Sequence, residues 1–421
     1  MPKISLGTAI LLNLNIVIGG AIFIGAQGIS QKCGLLAPFA WIIWGLIVLP
    51  IVIILAKLSQ KYPHAGGFYL YSHKELGSFW GFISGWGYFI GTIAGNALLI
   101  HKFSEGIILI GGFGISNFHL DLILITFFTL LNLSNIDFLT KTQSLFAILK
   151  FIPLVFVVVS ACFLFSSQNI INAPIQLSGF FESIPFVFFA YIGFEACCSI
   201  THQIKNGEKN AAKAILISFG LIMAIYFLVQ FSFLAIFGTQ TTNPFLEIFP
   251  LLTNNTLIIY LGNRIIEFTI LSSFIGGFYA MFYANNWILY AIAEEKNLPF
   301  SQSLTKLNKC KMPLACILLQ GILTFLFLVI TQNTFYLVTM SGFATIISYL
   351  LSSIAFILIY LKMKDTKKLI LGLLATAGSL YIFYICIKEL IEAGYQYLIP
   401  FLVILFVGLI LNKFARKQHV N

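Results

Sequence analysis

Two stretches of the sequence put polar and helix-loosening residues where an apolar segment is otherwise inert. Asn15-Ile16-Val17-Ile18-Gly19-Gly20-Ala21 lies inside the first apolar run, and Phe189-Ala190-Tyr191-Ile192-Gly193-Phe194-Glu195 inside the sixth. Glycine frees the backbone from helical geometry, and main-chain groups left unpaired at mid-membrane depth are tolerated only where they line a cavity. The chemistry on offer is recognition of a small polar ligand by main-chain dipoles. Close helix packing through small residues is the alternative use of the same glycines. Two ionisable side chains also fall inside apolar runs, Glu195 and Lys150. A charge at a helix centre costs about 2.5–3.5 kcal/mol on insertion scales, so such residues mark pathways and proton relays. Glu195 is accordingly predicted to exchange a proton, its other reading being a neutral, hydrogen-bonded packing carboxyl. Lys150 is a candidate coupling residue, because a buried lysine changes protonation readily. About two turns from the cytoplasmic end of its span, it can also snorkel to that surface.

Other chemistry is thin. The seven cysteines make no CxxC or Cys/His ligand spacing, and Cys197-Cys198 read as helix filling. His64, His73, His101, His119, His202 and His419 fall in loops or near span ends, so no metal and no cofactor is expected. The acids are scattered and none pairs with a histidine or serine in a recognisable way, which speaks against a polytopic membrane enzyme. Arg264 and Glu267, three apart, predict a local ion pair.

Helices in lipid must position these residues. Of 421 residues 59% are hydrophobic and 9% charged, where a soluble protein carries about 25% charged. The net charge of +10 does not indicate nucleic acid, because the basic residues sit between apolar segments rather than in a patch. At about 20 apolar residues per crossing, twelve spans are predicted near 6–29, 36–57, 78–104, 119–138, 143–166, 181–203, 211–238, 257–293, 312–331, 334–361, 368–388 and 396–413. The eighth is too long for one straight crossing, and its C-terminal part is expected to run into the cytoplasm. Lys3 precedes an apolar stretch that reaches Ser30 without a small-residue cleavage site, which predicts an uncleaved first span. With the N-terminus inside, inner loops hold 19 lysines and arginines, and outer loops four: Lys32, Lys102, Arg264 and Lys388. That asymmetry predicts two cytoplasmic termini. No connection is long enough to fold alone.

On these residues the chain resembles the amino acid–polyamine–organocation (APC) superfamily of permeases. Gly19-Gly20-Ala21-Ile22-Phe23 is similar to the G-S-G-I/V-F pattern of span 1. Ala56, Leu58 and Tyr62-Pro63-His64-Ala65-Gly66-Gly67-Phe68-Tyr69 are similar to A-E-L…Y-P-x-A-G-G-x-Y after span 2. Gly81-Phe82 with Gly85-Trp86, then Asn132, Gln143 and Lys150, keep the family's order through spans 3 to 5. Gly193-Phe194-Glu195, Lys205-Asn206, Tyr290-Ala291-Ile292-Ala293 and Leu298-Pro299 continue the likeness through span 8. Ala21 replaces a glycine, Lys57 an acid, and Gly207 the proline of K-N-P.

The resemblance implies an all-α polytopic membrane protein of twelve transmembrane helices. Ten form a LeuT-like 5+5 inverted repeat, residues 1–361 split at about 1–166 and 181–361, and residues 362–421 add two C-terminal helices. It implies that a substrate carboxylate meets N–H groups near Gly19, Gly20 and Ala21, at the positive end of a half-helix. The substrate ammonium is implied to meet carbonyls near Val17, Phe189 and Ile192, with Phe189 as a gating aromatic. Asn96 corresponds to a substrate contact in the basic amino acid and polyamine antiporter branch, the nearest one; interhelical glue is its other use. Met281 stands where that branch stacks an aromatic on a cationic substrate. A missing ring forgoes a cation–π contact of about 0.5–2 kcal/mol, which favours a neutral or smaller substrate. In some members the residue at Lys150 takes the place of a bound sodium ion. The function implied is secondary active transport of amino acids or related amines across the cell inner membrane, by alternating access, with proton coupling or exchange. The partners implied are small-molecule substrate and the bilayer, with protons where transport is proton-coupled, for a monomer or homodimer; the alternatives are a membrane enzyme or a channel.

Overall fold

The computed structural model describes residues 3–112, 114–134, 136–239, 244–394 and 399–418. The start of the twelfth predicted span, 396–398, and His419 lie outside the described residues. The first predicted span is divided into α1 (Leu6–Val17) and α2 (Gly20–Cys33). Then come α3 (Ala37–Lys61), the short α4 (Gly67–Leu76), α5 (Ser78–Gly111), α6 (Asn117–Leu131) and α7 (Ile136–Leu164). Two short helices, α8 (Ser167–Ile171) and α9 (Leu177–Glu182), lead into a sixth segment divided into α10 (Ile184–Tyr191) and α11 (Ala196–Ser199). A turn of 3-10 helix at Thr201–Gln203 precedes α12 (Gly207–Phe237), α13 (Ile248–Leu252) and the 39-residue α14 (Thr256–Glu294). The order closes with α15 (Ser301–Leu304), α16 (Leu314–Ile330), α17 (Thr334–Lys362), α18 (Thr366–Ala393) and α19 (Ile399–Gln418). Among the described residues eight helical segments are long and apolar enough to cross a membrane, and four apolar helices are shorter. The protein is therefore an all-helical, multi-pass membrane protein.

Local chemistry explains the two interruptions. Helix α1 starts at Ser5, whose hydroxyl caps it by accepting the Thr8 N–H at 3.2 Å, one of the donors every helix start leaves unpaired. It stops where Gly19 leaves helical geometry at φ −93°, ψ −149°. Helix α10 stops at Ile192, which is extended, and Gly193 follows at φ +112°, a conformation open in practice to glycine alone. Helix α5 packs on α14 and α17, and α12 is laid against α3.

One expectation is corrected. His101 is buried within α5 with its Nδ1 2.8 Å from Asp121 Oδ2 and its Nε2 3.3 Å from Glu105 Oε1, while Lys102 donates to Glu105 at 2.6 Å. His73 also approaches Glu295, at 3.9 Å. Acids and histidines therefore do pair here. Asp121 reaches His101 from α6, a contact that no spacing within one helix announces. The Arg264–Glu267 pair forms as expected, at 3.0 Å.

On α4, burial acts to raise the Glu75 carboxyl. Donation by the Tyr62 hydroxyl and by Lys61 at 3.1 Å, with Lys362 at 3.8 Å, outweighs it and holds the carboxyl below its ordinary value. A lowered folded-state value means a stabilising contribution that is complete above the unfolded-state value and lost as pH falls through the folded one. Glu75→Gln is expected to lower the melting temperature in detergent by about 2 °C at pH 7. It should also remove part of the wild-type protein's decline below pH 5. Melting curves across pH 3–7 check both.

Candidate functional site

The two interruptions meet around a cavity of about 60 Å³. Ile16, Val17, Gly19, Gly20 and Ala21 line it from the first break, Phe189 and Ile192 from the sixth segment, Asn96 from α5 and Met281 from α14. All eight residues singled out for substrate contact thus line one space. Among the described residues no charged side chain lines it.

The main chain sets the polarity of this space. The N–H groups of Gly20 and Ala21 open α2 and have no main-chain acceptor among the described residues, so the positive end of a 14-residue helix meets the cavity. Opposite them α1 ends in carbonyls. Here the structure revises a detail, because Val17 O already accepts the Tyr226 hydroxyl at 2.9 Å and the Gly19 N–H at 2.7 Å. Both of its lone pairs are engaged. Ile18 O accepts the Ser273 hydroxyl at 2.9 Å, and Phe189 O accepts the Ile192 N–H at 3.1 Å. The open carbonyl is that of Ile16, one residue earlier, which no described residue satisfies. Gly20 also permits a close approach, since a methyl there would sit 2.0 Å from the Phe274 ring.

Side chains add selective contacts. Asn96 is fully buried and neither its amide oxygen nor its nitrogen has a partner, an arrangement costly enough to call for a ligand or a water. Thr92, Gly95 and Leu99 lie on the same face of α5, and Gly277 and Ser341 complete the wall. The sequence reading missed these five and Ile16. The spacing of Thr92 and Leu99 around Asn96, four before and three after, carried the signal for α5, whereas nothing local marks Ser341.

The two ionisable residues stand behind the cavity wall. Glu195 is fully buried; its Oε1 accepts the Tyr88 hydroxyl at 2.8 Å and its Oε2 the Gly193 N–H at 2.9 Å. Its carboxyl therefore holds the freed main chain of the sixth segment as well as being an intramembrane acid. Lys150 is also fully buried, so it does not snorkel. Its side-chain nitrogen donates to Asn15 O at 2.5 Å and Ser273 O at 3.3 Å, tying α7 to both α1 and α14.

A multi-pass helical protein whose interrupted helices bare opposite main-chain dipoles to one cavity has the architecture of a small-molecule transporter. The chain belongs to the amino acid permease family, whose profile matches residues 4–411. It is 26% identical over 396 residues to the serine/threonine exchanger SteT of Bacillus subtilis (strain 168), covering 90% of each chain. It is 24% identical over 369 residues to the large neutral amino acids transporter small subunit 2 of Oryctolagus cuniculus, covering 79% of this chain and 65% of that one. Against an uncharacterized transporter of Mycobacterium tuberculosis it is 23% identical over 251 residues, spanning about half that protein (54%). The family and these relatives are transporters rather than enzymes.

Proposed function

We propose that the protein is a secondary transporter that moves amino acids across the cytoplasmic membrane by alternating access. The observation that carries this reading is the pairing, across one small cavity, of unpaired N–H groups on Gly20 and Ala21 with the open carbonyl of Ile16. Opposite helix ends suit the carboxylate and ammonium of one zwitterion. The substrate carboxylate sits on Gly20 and Ala21, its ammonium on Ile16 with Ile192 nearby, and Phe189 covers it. Asn96 and Met281 flank its side chain. A wall without charge, with Met281 where an aromatic would stack, supports a neutral substrate, as do the names of two relatives.

In this reading the chain crosses the membrane twelve times. Residues 1–166 and 181–361 form inverted five-helix repeats, residues 362–421 append two helices, and both termini are cytoplasmic. Exchange of one amino acid for another is favoured by the likeness to an exchanger, and Glu195 carries a proton where the cycle is proton-coupled. Counterflow in proteoliposomes, screened over the twenty amino acids and polyamines, tests the function. Accelerated, saturable uptake of a neutral amino acid recovered chemically unchanged is expected. Single-channel current, or no counterflow by monodisperse protein, sinks the proposal. Glu195→Gln tests the proton role: uptake is expected to lose its pH dependence and at least tenfold of its rate. Uptake that keeps the wild-type rate and pH profile removes Glu195 from coupling.

A further inference from the structure

Asn13 lies on α1, one turn before the break, and is fully buried. Its carboxamide does not face the cavity. The Asn13 nitrogen donates to Phe194 O at 2.9 Å and to Ser218 Oγ at 3.2 Å, and its oxygen accepts the Cys197 N–H at 3.3 Å. Phe194 and Cys197 flank the interruption of the sixth segment, where the regular ladder gives way to short bonds from Ala196 to Gly193 and from Cys198 to Glu195. An amide supplies one donor and one acceptor in the geometry of a peptide unit. Asn13 therefore occupies the place of a main-chain group that the break has removed.

A second tie joins the same two pieces at their far end. The Ile4 N–H donates to Gln203 O at 2.8 Å and the Lys205 N–H to Ile4 O at 2.9 Å, forming an isolated parallel bridge. Between these ties Cys197 Sγ rests 3.5 Å from Ala9 O. The remaining polar bonds of α1 divide by depth. Near the break, residues 15–18 are held by Lys150 on α7, Tyr226 on α12, and Gly276 O and Ser273 on α14. From Ile4 to Asn13 the long-range partners are residues 194–205 and Ser218. Four bonds tie residues 194–205 to other parts of the described chain besides residues 4–13: the Tyr88 hydroxyl donates to Glu195 at 2.8 Å, beside Gly193, Tyr283 donates to Gln203, the Gly66 N–H donates to Ser199 O at 3.4 Å, and the Asn210 amide donates to Lys205 O at 2.6 Å.

We propose that Asn13 is the positioning residue of the sixth-segment break, standing in for its missing peptide group. With the Ile4 bridge it makes residues 4–13 and 194–205 a single gate leaf, pivoting at residues 15–18 and at Gly193. In this arrangement α1 does not swing away alone when the side carrying Lys3 and Lys205 opens. The leaf leaves as one piece, with the Tyr88–Glu195 bond at its pivot beside Gly193, breaking the Tyr283–Gln203, Gly66–Ser199 and Asn13–Ser218 bonds and keeping those between α1 and α11. The inference rests on the transporter reading and adds to it how the gate is jointed.

The test uses full-length protein in proteoliposomes, with the exposed Cys162 and Cys310 and the neighbouring Cys198 replaced by serine. Ala9→Cys then sits beside the native Cys197, and mercuric ion bridges the two thiols, with occupancy read by mass spectrometry. Uptake within fivefold of the unbridged protein is expected. A larger fall that dithiothreitol reverses overturns the single leaf. Bridging Gln203→Cys to Tyr283→Cys is expected to arrest uptake, and continued uptake there overturns the leaf boundary. Asn13→Ala is expected to lower the maximal rate at least tenfold while half-saturation moves less than threefold; the reverse split overturns the positioning role. Should the cysteine variants not fold, hydrogen exchange on wild-type protein during counterflow answers the question. The Ile4 and Lys205 amides are expected to stay protected, and a tenfold loss at both overturns the proposal. Wild-type protein that moves no amino acid would count against the transport reading instead, so the two failures are distinct.

Discussion

Gly193→Ala is expected to cut amino acid uptake by about 100-fold. At φ +112° an alanine is strained, and its Cβ would lie 2.4 Å from Ile16 Cγ2 across the break. Strained backbone of this kind costs of order 1–3 kcal/mol, and at about 1.4 kcal/mol per decade the upper figure alone is about two decades. The methyl also pushes on Ile16, whose carbonyl the proposed ammonium site uses, so strain and site geometry act together. Gly28 on α2 is the control, because nothing lies within 4 Å of a methyl placed there. Gly28→Ala should transport at the wild-type rate. Initial uptake rates, on protein shown to be monodisperse, compare the two. Near-normal uptake by Gly193→Ala would mean that the sixth segment does not need its break.

Lys150→Met is expected to abolish at least 99% of uptake while leaving expression measurable. Methionine keeps most of the aliphatic length but strips the donors from Asn15 O and Ser273 O. A hydrogen bond to a charged group is worth about 1.5–3 kcal/mol, so losing two exceeds the approximately 2.7 kcal/mol that a 100-fold effect requires. The loss falls where it matters most. Asn15 lies beside Ile16, and its own amide donates to Gly276 O at 3.0 Å, fixing the end of α1 against α14. Lys150→Arg should rescue little, because a planar fork does not replace a compact ammonium between two carbonyls. Uptake measured with and without sodium checks the coupling role: wild-type uptake that depends on sodium argues against Lys150 as a permanent stand-in for the ion.

Much of the fold was legible because its causes are local. A chain with 59% hydrophobic residues and 9% charged has too little polar surface to face water. Gly19-Gly20 and Gly193 announce interruptions because a missing side chain alters the backbone at that residue and nowhere else. Membrane class, helix breaks and the family's pattern of motifs therefore survive in the linear order. The residues around the cavity were partly visible, since the breaks carry six that the sequence singled out: Val17, Gly19, Gly20, Ala21, Phe189 and Ile192.

What stayed hidden is which polar atom meets which. Val17 and Ile16 look alike in sequence, yet only packing shows that Tyr226, from α12, occupies the Val17 carbonyl and leaves the Ile16 carbonyl open. Asn13 reads as one more polar residue in an apolar run until Phe194 and Cys197 arrive from more than 180 positions away. His101 and Asp121 become partners only when α5 and α6 lie side by side. By itself the sequence determined that the chain lives in lipid, that its backbone opens at two places, and which family it resembles. Tertiary structure alone decided how the freed donors and acceptors are shared out, because a hydrogen bond depends on distances of about 3 Å between helices that no spacing along the chain encodes.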